Sequence, residues 1–327
     1  MPTTPITPTA PEIIGIHHVT AIAGDPQGIL DFHVGVLGLR LIKQTVNFDD
    51  PGTWHLYVAT HGAAPGSVLT FFAWPGAARG RRGFGEVQTT AFAIGADSIG
   101  WWSDRLKALS IPFQEPQRRF DEEFIALEDF DGTRLELVAS DANSALAEDA
   151  ATPLPPQHAI RGFHSATLAL NGFQATATLL TEVMGFVATQ SDQNRFRFER
   201  SGPPRTPGRI VELLCIPDAP QARLGPGSVH HIAFRTLDDA AQERWRRTLV
   251  RAGHNATPIL DRQYFHSLYF REPGGVIVEF ATDPPGFATD ELSSALGTAI
   301  KLPPWLEPKR AQIEAALPPI TTPRVLR

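Results

Sequence analysis

The feature that most constrains this chain is a pattern that recurs four times along it. The segments GIHHVTAIAGD from Gly15, VQTTAFAIGAD from Val87, GFHSATLALNG from Gly162 and VHHIAFRTLDD from Val229 open alike. Each is an alternating run rich in β-branched and aromatic residues, which reads as a strand. An amphipathic stretch of helical length follows each one: Pro26 to Leu37, Ser98 to Leu109, Phe173 to Met184 and Asp239 to Ala252. Asp25, Asp97 and Asp238 stand where an N-cap carboxylate would accept a free first-turn N–H, and Gly35, Gly38 and Gly185 suit helix ends. Three more strand-like runs close each unit, near Leu39 to Phe48, Trp54 to Thr60 and Gly66 to Ala73 in the first and near Asn255 to Leu260, His266 to Phe270 and Gly275 to Ala281 in the last. With His18, Thr89, His164 and His231 taken as equivalent, the unit starts lie 71, 75 and 67 residues apart. The expected fold class is α+β, with four βαβββ modules forming two curled-sheet domains.

At 327 residues the chain has room for two domains. The expected division is residues 1–145 and 161–285, with an Ala/Pro-rich linker at 146–160 and a Pro-rich tail at 286–327, the tail packing against the body. Within the tail, Pro308 to Ala316 is a helical candidate. Hydrophobic residues make up 42% and charged residues 20%, enough apolar material for a core and too little charge for disorder. The net charge of -6 and the absence of a long basic run disfavour a nucleic-acid surface. No stretch has the apolar length of a membrane span, and the Pro/Thr-rich start lacks the basic and apolar parts of a signal peptide, so a soluble, cytoplasmic protein is expected. Cys215 is the only cysteine; it rules out an intrachain disulfide and a thiolate cluster, and it reads as an inert strand residue.

A metal would therefore rest on His, Asp and Glu. Pairing each unit's opening position with its last strand matches His18 with Thr70, Thr89 with Glu136, His164 with Glu212 and His231 with Glu279, at offsets of 52, 47, 48 and 48. A small curled sheet with two ligand-capable positions must join another to close a site. Joining the third and fourth units would give His164, Glu212, His231 and Glu279, a set for an octahedral Lewis-acid ion. Joining the first and fourth would give His18, His231 and Glu279, a two-His, one-carboxylate triad. Glu279, inside the apolar run VIVEF, is the firmest anchor, because an unpaired buried carboxylate is costly. Glu136 and Glu212 share its setting. Neighbouring strand residues face opposite ways, so one histidine of each HH pair can reach a shared ion; register with His164 favours His18 and His231.

The segments IHHVT, HLYVAT, RGFHS, VHHIAF, DRQYFHSLYFREPGGVIVEFATD and DPPGFATDELSSALG resemble the vicinal oxygen chelate superfamily, specifically its hydroquinone ring-cleaving dioxygenases. The resemblance runs from Ile13 to about Ala315. It implies Fe(II) held by His18, His231 and Glu279, and cleavage of a small para-dihydroxylated aromatic with O2; the same donor set accepts Mn(II). It implies further site roles for His17, Thr20, His230, Arg262 and Tyr269: Arg262 to hold developing negative charge and Tyr269 to hydrogen-bond the substrate oxygen. His266 departs from the family pattern and is expected to act as a base or to change pocket polarity. The rival expectations are a non-oxidative metal-dependent lyase, isomerase or transferase using His164 and Glu212, and a small-aromatic binding or resistance protein. The oligomeric state, a homo-oligomer included, stays open. GRRGFGE does not match a dinucleotide fingerprint, and Trp101 and Trp102 read as packing on a helix face.

Overall fold

The computed structural model describes residues 12–140, 152–200 and 206–326. Residues 146–151 of the expected linker, and residues 1–11 of the Pro/Thr-rich start, lie outside them. The first module runs β1 (Ile16–Ala23), α1 (Pro26–Leu30), β2 (Arg40–Asn47), β3 (Asp50–Ala59) and β4 (Val68–Ala73). The second runs β5 (Glu86–Ile94), α2 (Ile99–Ala108), β6 (Gln117–Arg119), β7 (Glu122–Glu128) and β8 (Arg134–Ala139). The third is β9 (Phe163–Leu170), α3 (Gln174–Thr178), β10 (Phe186–Asp192), β11 (Arg195–Arg200) and β12 (Ile210–Cys215). The fourth is β13 (Ser228–Thr236), α4 (Asp239–Arg251), β14 (Leu260–Asp261), β15 (Phe265–Arg271) and β16 (Ile277–Pro285).

These strands make two eight-stranded sheets, ordered β14-β15-β16-β13-β1-β4-β3-β2 and β10-β11-β12-β9-β5-β8-β7-β6. The outer modules thus share one sheet and the inner modules the other, each joined by an antiparallel seam, β1 with β13 and β5 with β9. Of the two pairings open in the sequence, first with fourth is the one the sheets make; the third module joins the second. Each half of the chain gives one module to each sheet.

Apolar residues of opposite parity send one face of each strand into the core. In β16, Phe280 stacks on Trp245 of α4 at 4.7 Å between ring centroids, which turns Glu279 to the concave face. Asp25 caps α1 by accepting from Gln27 and Gly28, and Asp238 caps α4 by accepting from Ala241. Asp97 does not cap α2: Ser98 is the N-cap residue, without a side-chain bond. Gly38 and Gly185 end their helices at φ +71°. Gly35 is not a stop, because α1 runs on as a π-helical turn over Asp31–Val36. The strand expected over Asn255 to Leu260 shrinks to two residues. Pro258 has no N–H for a ladder, and Thr257 takes over with its backbone N donating to Tyr269 O and its Oγ1 accepting from Tyr269 N.

The tail packs against the first module. Trp54 Nε1 donates to Pro318 O and Leu326 N to Gly35 O, each at 2.8 Å. Lys43, fully buried on β2, is met by Asp290 at 2.6 Å and by Glu291. Its helix, α5, starts at Arg310 and ends at Ala316.

Candidate metal centre

The seams are irregular in the same way. On β1 the register steps from Ile16 to His18 while β13 advances one residue, and on β13 it steps from His231 to Val229, so His17 and His230 are β-bulge residues. On the inner seam the bulges fall at Gln88 and His164. Such bulges bend a strand and re-aim its side chains. They also correct the alignment of the units. His164 corresponds to His17 and His230, not to His18 and His231, whose counterparts are Thr89 and Ser165. The starts are then 71, 76 and 66 residues apart.

Register places one set of residues on a common face. His18 stands opposite Ala233, Thr20 opposite His231, Ala233 opposite Glu279 and Tyr269 opposite Glu279. Nε2 of His231 lies 2.8 Å and Nε2 of His18 3.2 Å from Glu279 Oε2, and the two Nε2 atoms are 3.3 Å apart. All three side chains are buried, and the two imidazoles face Glu279 Oε2 without an aligned hydrogen bond to it. Three ligands in cis positions about 2.1 Å from an octahedral ion stand roughly 3.0 Å apart, against about 3.4 Å for a tetrahedral set. The spacing and the buried carboxylate oxygen fit a shared divalent cation held by all three residues.

The remaining atoms of the triad are supported. Ser267 Oγ donates to Glu279 Oε1 at 2.5 Å. Nδ1 of His18 meets Nδ1 of His17 at 3.0 Å, and Nδ1 of His231 meets Nδ1 of His230 at 2.8 Å. Burial first, and then the adjacent ligand histidine, hold His17 well below its ordinary value and push His230 down to about 3. As neutral rings both can accept at Nδ1, which leaves Nε2 of each ligand aimed at the common point. Burial pushes the Glu279 carboxyl up, but His18 and His231 outweigh it and keep it well below the carboxylate range.

A cavity of about 50 Å³ opens on His18 and His231, lined also by Thr20, Phe48, His55, Tyr57, Phe72, Arg262, Phe265 and Tyr269. Burial, and then the charge of Glu279, raise Tyr269, so it remains a phenol donor. Arg262 lies over the Tyr269 ring at 5.8 Å and pairs with Asp49 at 3.1 Å across the mouth. Of the sequence-predicted residues, Thr20, Arg262 and Tyr269 therefore meet the triad. His266 does not: it faces α4, with Nδ1 on Asp239 Oδ1 at 2.5 Å. His55 and Tyr57 were missed. Tyr57 stands opposite Thr70 as Tyr269 stands opposite Glu279, so the module offsets, carried to the third strand, would have found it.

The inner sheet holds a different centre at the matching place. Glu136 takes both arms of Arg119, and Glu212 is met by Arg119 at 3.3 Å, by Arg195 at 2.5 Å and by Arg197 at 2.8 Å. His164 binds Glu122 at 2.8 Å. Burial would raise Glu212, but the three guanidiniums hold it low. Guanidiniums occupy the ground that a cation would need, so His164 and Glu212 do not join His231 and Glu279.

The model of the glyoxalase/bleomycin resistance protein/dioxygenase superfamily matches residues 15–137 and 162–280. A Bacillus subtilis (strain 168) protein named "Putative ring-cleaving dioxygenase MhqO" is 41% identical over 310 residues, covering 95% of this chain and 97% of its own. The "Chlorohydroquinone/hydroquinone 1,2-dioxygenase" of Sphingobium indicum is 30% identical over 303 residues, covering 90% and 92%. The crystal structure of a "putative dioxygenase" from Bacillus subtilis subsp. subtilis str. 168 superimposes with a TM-score of 0.92 at 40% identity, over 97% of this chain and all of that one. Glyoxalase I from Zea mays shares the fold, with a TM-score of 0.61 at 13% identity over 82% and 92%. Four βαβββ modules in two curled sheets, matched by that model over both halves of the chain, make this protein a member of the glyoxalase/bleomycin resistance protein/dioxygenase (vicinal oxygen chelate) superfamily.

Proposed function

We propose that the protein is an Fe(II)-dependent dioxygenase that opens the ring of a hydroquinone-type aromatic with O2, its ion held by His18, His231 and Glu279. The observation that carries this reading is the convergence of three buried ligand atoms, 2.8–3.3 Å apart, in a chain whose relatives are named ring-cleaving dioxygenases. Bound by two histidines and a carboxylate, Fe(II) would supply the Lewis-acid and redox chemistry that ring opening with O2 needs; Mn(II) accepts the same donors. His17 and His230 keep the ligand rings turned toward the ion. The Arg262 guanidinium favours the ionised form of a substrate hydroxyl, and the Tyr269 phenol and the Thr20 hydroxyl orient substrate oxygens by hydrogen bonds. Phe48, Phe72 and Phe265 supply apolar wall. At about 50 Å³ the cavity is smaller than an aromatic ring, so substrate entry has to displace part of its lining.

The test is O2 uptake by protein loaded anaerobically with Fe(II), on adding methylhydroquinone or, separately, catechol. About one O2 per methylhydroquinone, with loss of aromatic absorbance, is the expected result. Faster consumption of catechol would overturn the para preference, and no uptake with either would overturn the dioxygenase reading.

A further inference from the structure

The wall of the pocket built by the first module carries a hydrogen-bonded chain of which the mechanism above uses only the Thr20 end. Tyr57 OH and His55 Nδ1 are 3.1 Å apart, His55 Nε2 and Thr70 Oγ1 3.0 Å, and Thr70 Oγ1 and Thr20 Oγ1 2.8 Å. The chain crosses β3, β4 and β1, and Tyr57, His55 and Thr20 all line the cavity. By module register Thr70 is the counterpart of Glu279, Tyr57 of Tyr269 and His55 of Ser267. Where the fourth module supplies a ligand and its support, the first supplies hydroxyls and an imidazole.

The groups allow only two arrangements. Burial first, then His18, His231 and Arg262, against the opposing charge of Glu279, hold the His55 ring neutral. A neutral imidazole has one donor and one acceptor nitrogen, and each hydroxyl has one proton. With the proton on Nε2, Tyr57 donates to Nδ1, Nε2 donates to Thr70 and Thr70 donates to Thr20, whose own proton is left for the cavity. With it on Nδ1, Nδ1 donates to Tyr57, Thr20 donates to Thr70 and Thr70 donates to Nε2. Thr20 then offers the cavity lone pairs, and the Tyr57 proton is free.

Resting on the reading above, we propose that His55 is a positioning residue of the reaction, a two-ended relay that moves a proton between Thr20 and Tyr57 and whose tautomer decides which end donates to substrate. In the step, a substrate O–H bond breaks and its proton binds Thr20 Oγ1. The Thr20 proton passes to Thr70, the Thr70 proton to His55 Nε2, the Nδ1 proton to the Tyr57 oxygen, and the original Tyr57 proton to a substrate or water oxygen at that end. One proton enters and one leaves, no electrons move, and His55 starts and finishes neutral.

The experiment uses the full chain with His55→Phe, which keeps ring bulk, and with Thr70→Val and Tyr57→Phe, which break the chain on either side of His55. In Fe(II)-loaded protein with methylhydroquinone, each variant should keep stoichiometric metal and lose about 10²-fold in kcat with little change in KM. Combining Thr70→Val with Tyr57→Phe should cost no more than either alone, because they break one unit. Wild-type kcat in His55→Phe, or losses that multiply, would overturn the relay. A second readout needs no turnover: nitrogen chemical shifts of His55 in metal-free protein should show one protonated and one bare ring nitrogen, and the ratio should change in Thr70→Val and Tyr57→Phe. A doubly protonated ring at neutral pH, or a ratio indifferent to both variants, would overturn the relay whatever the enzyme does. Absence of O2 uptake by the wild type alongside the expected nitrogen signature would instead refute the dioxygenase reading.

Discussion

Replacing Ser267 by alanine should loosen the metal without touching a ligand. Ser267 Oγ donates to Glu279 Oε1, both residues are fully buried, and no water can take the place of the lost donor without opening the core. A hydrogen bond to a charged acceptor contributes about 1.5–3 kcal/mol. At 1.4 kcal/mol per decade this is roughly a 10- to 100-fold rise in the metal dissociation constant, the range expected when a ligand loses its outer partner. The assay is anaerobic titration of Fe(II) or Mn(II) against a chelator of known affinity, with metal content checked independently. The control is the next residue on the same strand. His266→Ala removes a side chain that faces α4 and pairs with Asp239, so its metal affinity should match the wild type. Unchanged affinity in Ser267→Ala, or weakened affinity in His266→Ala, would refute the assignment of faces along β15.

Other substitutions separate the two sheets and test the tail. His18→Ala should abolish stoichiometric metal binding while His164→Ala retains it, read by metal analysis of the purified variants. Tyr269→Phe should keep the metal and lower turnover; full activity would remove the phenol from the reaction. Lys43→Met should cost about 3–5 kcal/mol in denaturant unfolding by stranding the buried Glu291 carboxylate, and Lys43→Met with Glu291→Gln should recover much of it. Burial raises the carboxyl of Glu122, but His164 and Arg197 outweigh it and bring it to about 2, below its ordinary value of 4.5. Its contribution is thus present above pH 4.5 and lost as pH falls toward 2. Glu122→Gln should flatten the fall in unfolding free energy over that window.

The fold was legible because its pattern is periodic. Alternation marks strands, helical period marks α1 to α4, and a fourfold recurrence leaves little choice of topology. Glu279 was legible for an energetic reason, as a charge in the middle of an apolar strand. What stayed hidden depends on single-residue steps. A bulge at His17 and another at His230 move the register by one, so the sequence alignment matches His164 to the wrong member of each pair. Nothing in the alternation of RQYFHS distinguishes a pocket residue from one facing a helix, and His266 falls on the helix side. His55 and Tyr57 lie in HLYVAT, a run whose face is settled only when Thr70 is placed beside it. The arginines that fill the inner cup come from β6 and β11, strands whose charged runs read as solvated edges until both carboxylates are seen between them.

The pairing of outer with outer and inner with inner modules also sets an order of assembly. The inner sheet is made of consecutive modules and can close as soon as β12 leaves the ribosome. The outer sheet cannot, because the seam partner of β1 lies more than two hundred residues later, and long-range pairings pay the loop cost before they gain contacts. During synthesis the first module therefore presents an unpaired β1 edge, with His17 and His18 on it, until β13 arrives. His18, His231 and Glu279 are therefore among the last groups to be brought together, and a metal bound there, on the reading proposed above, would report that the outer sheet has closed.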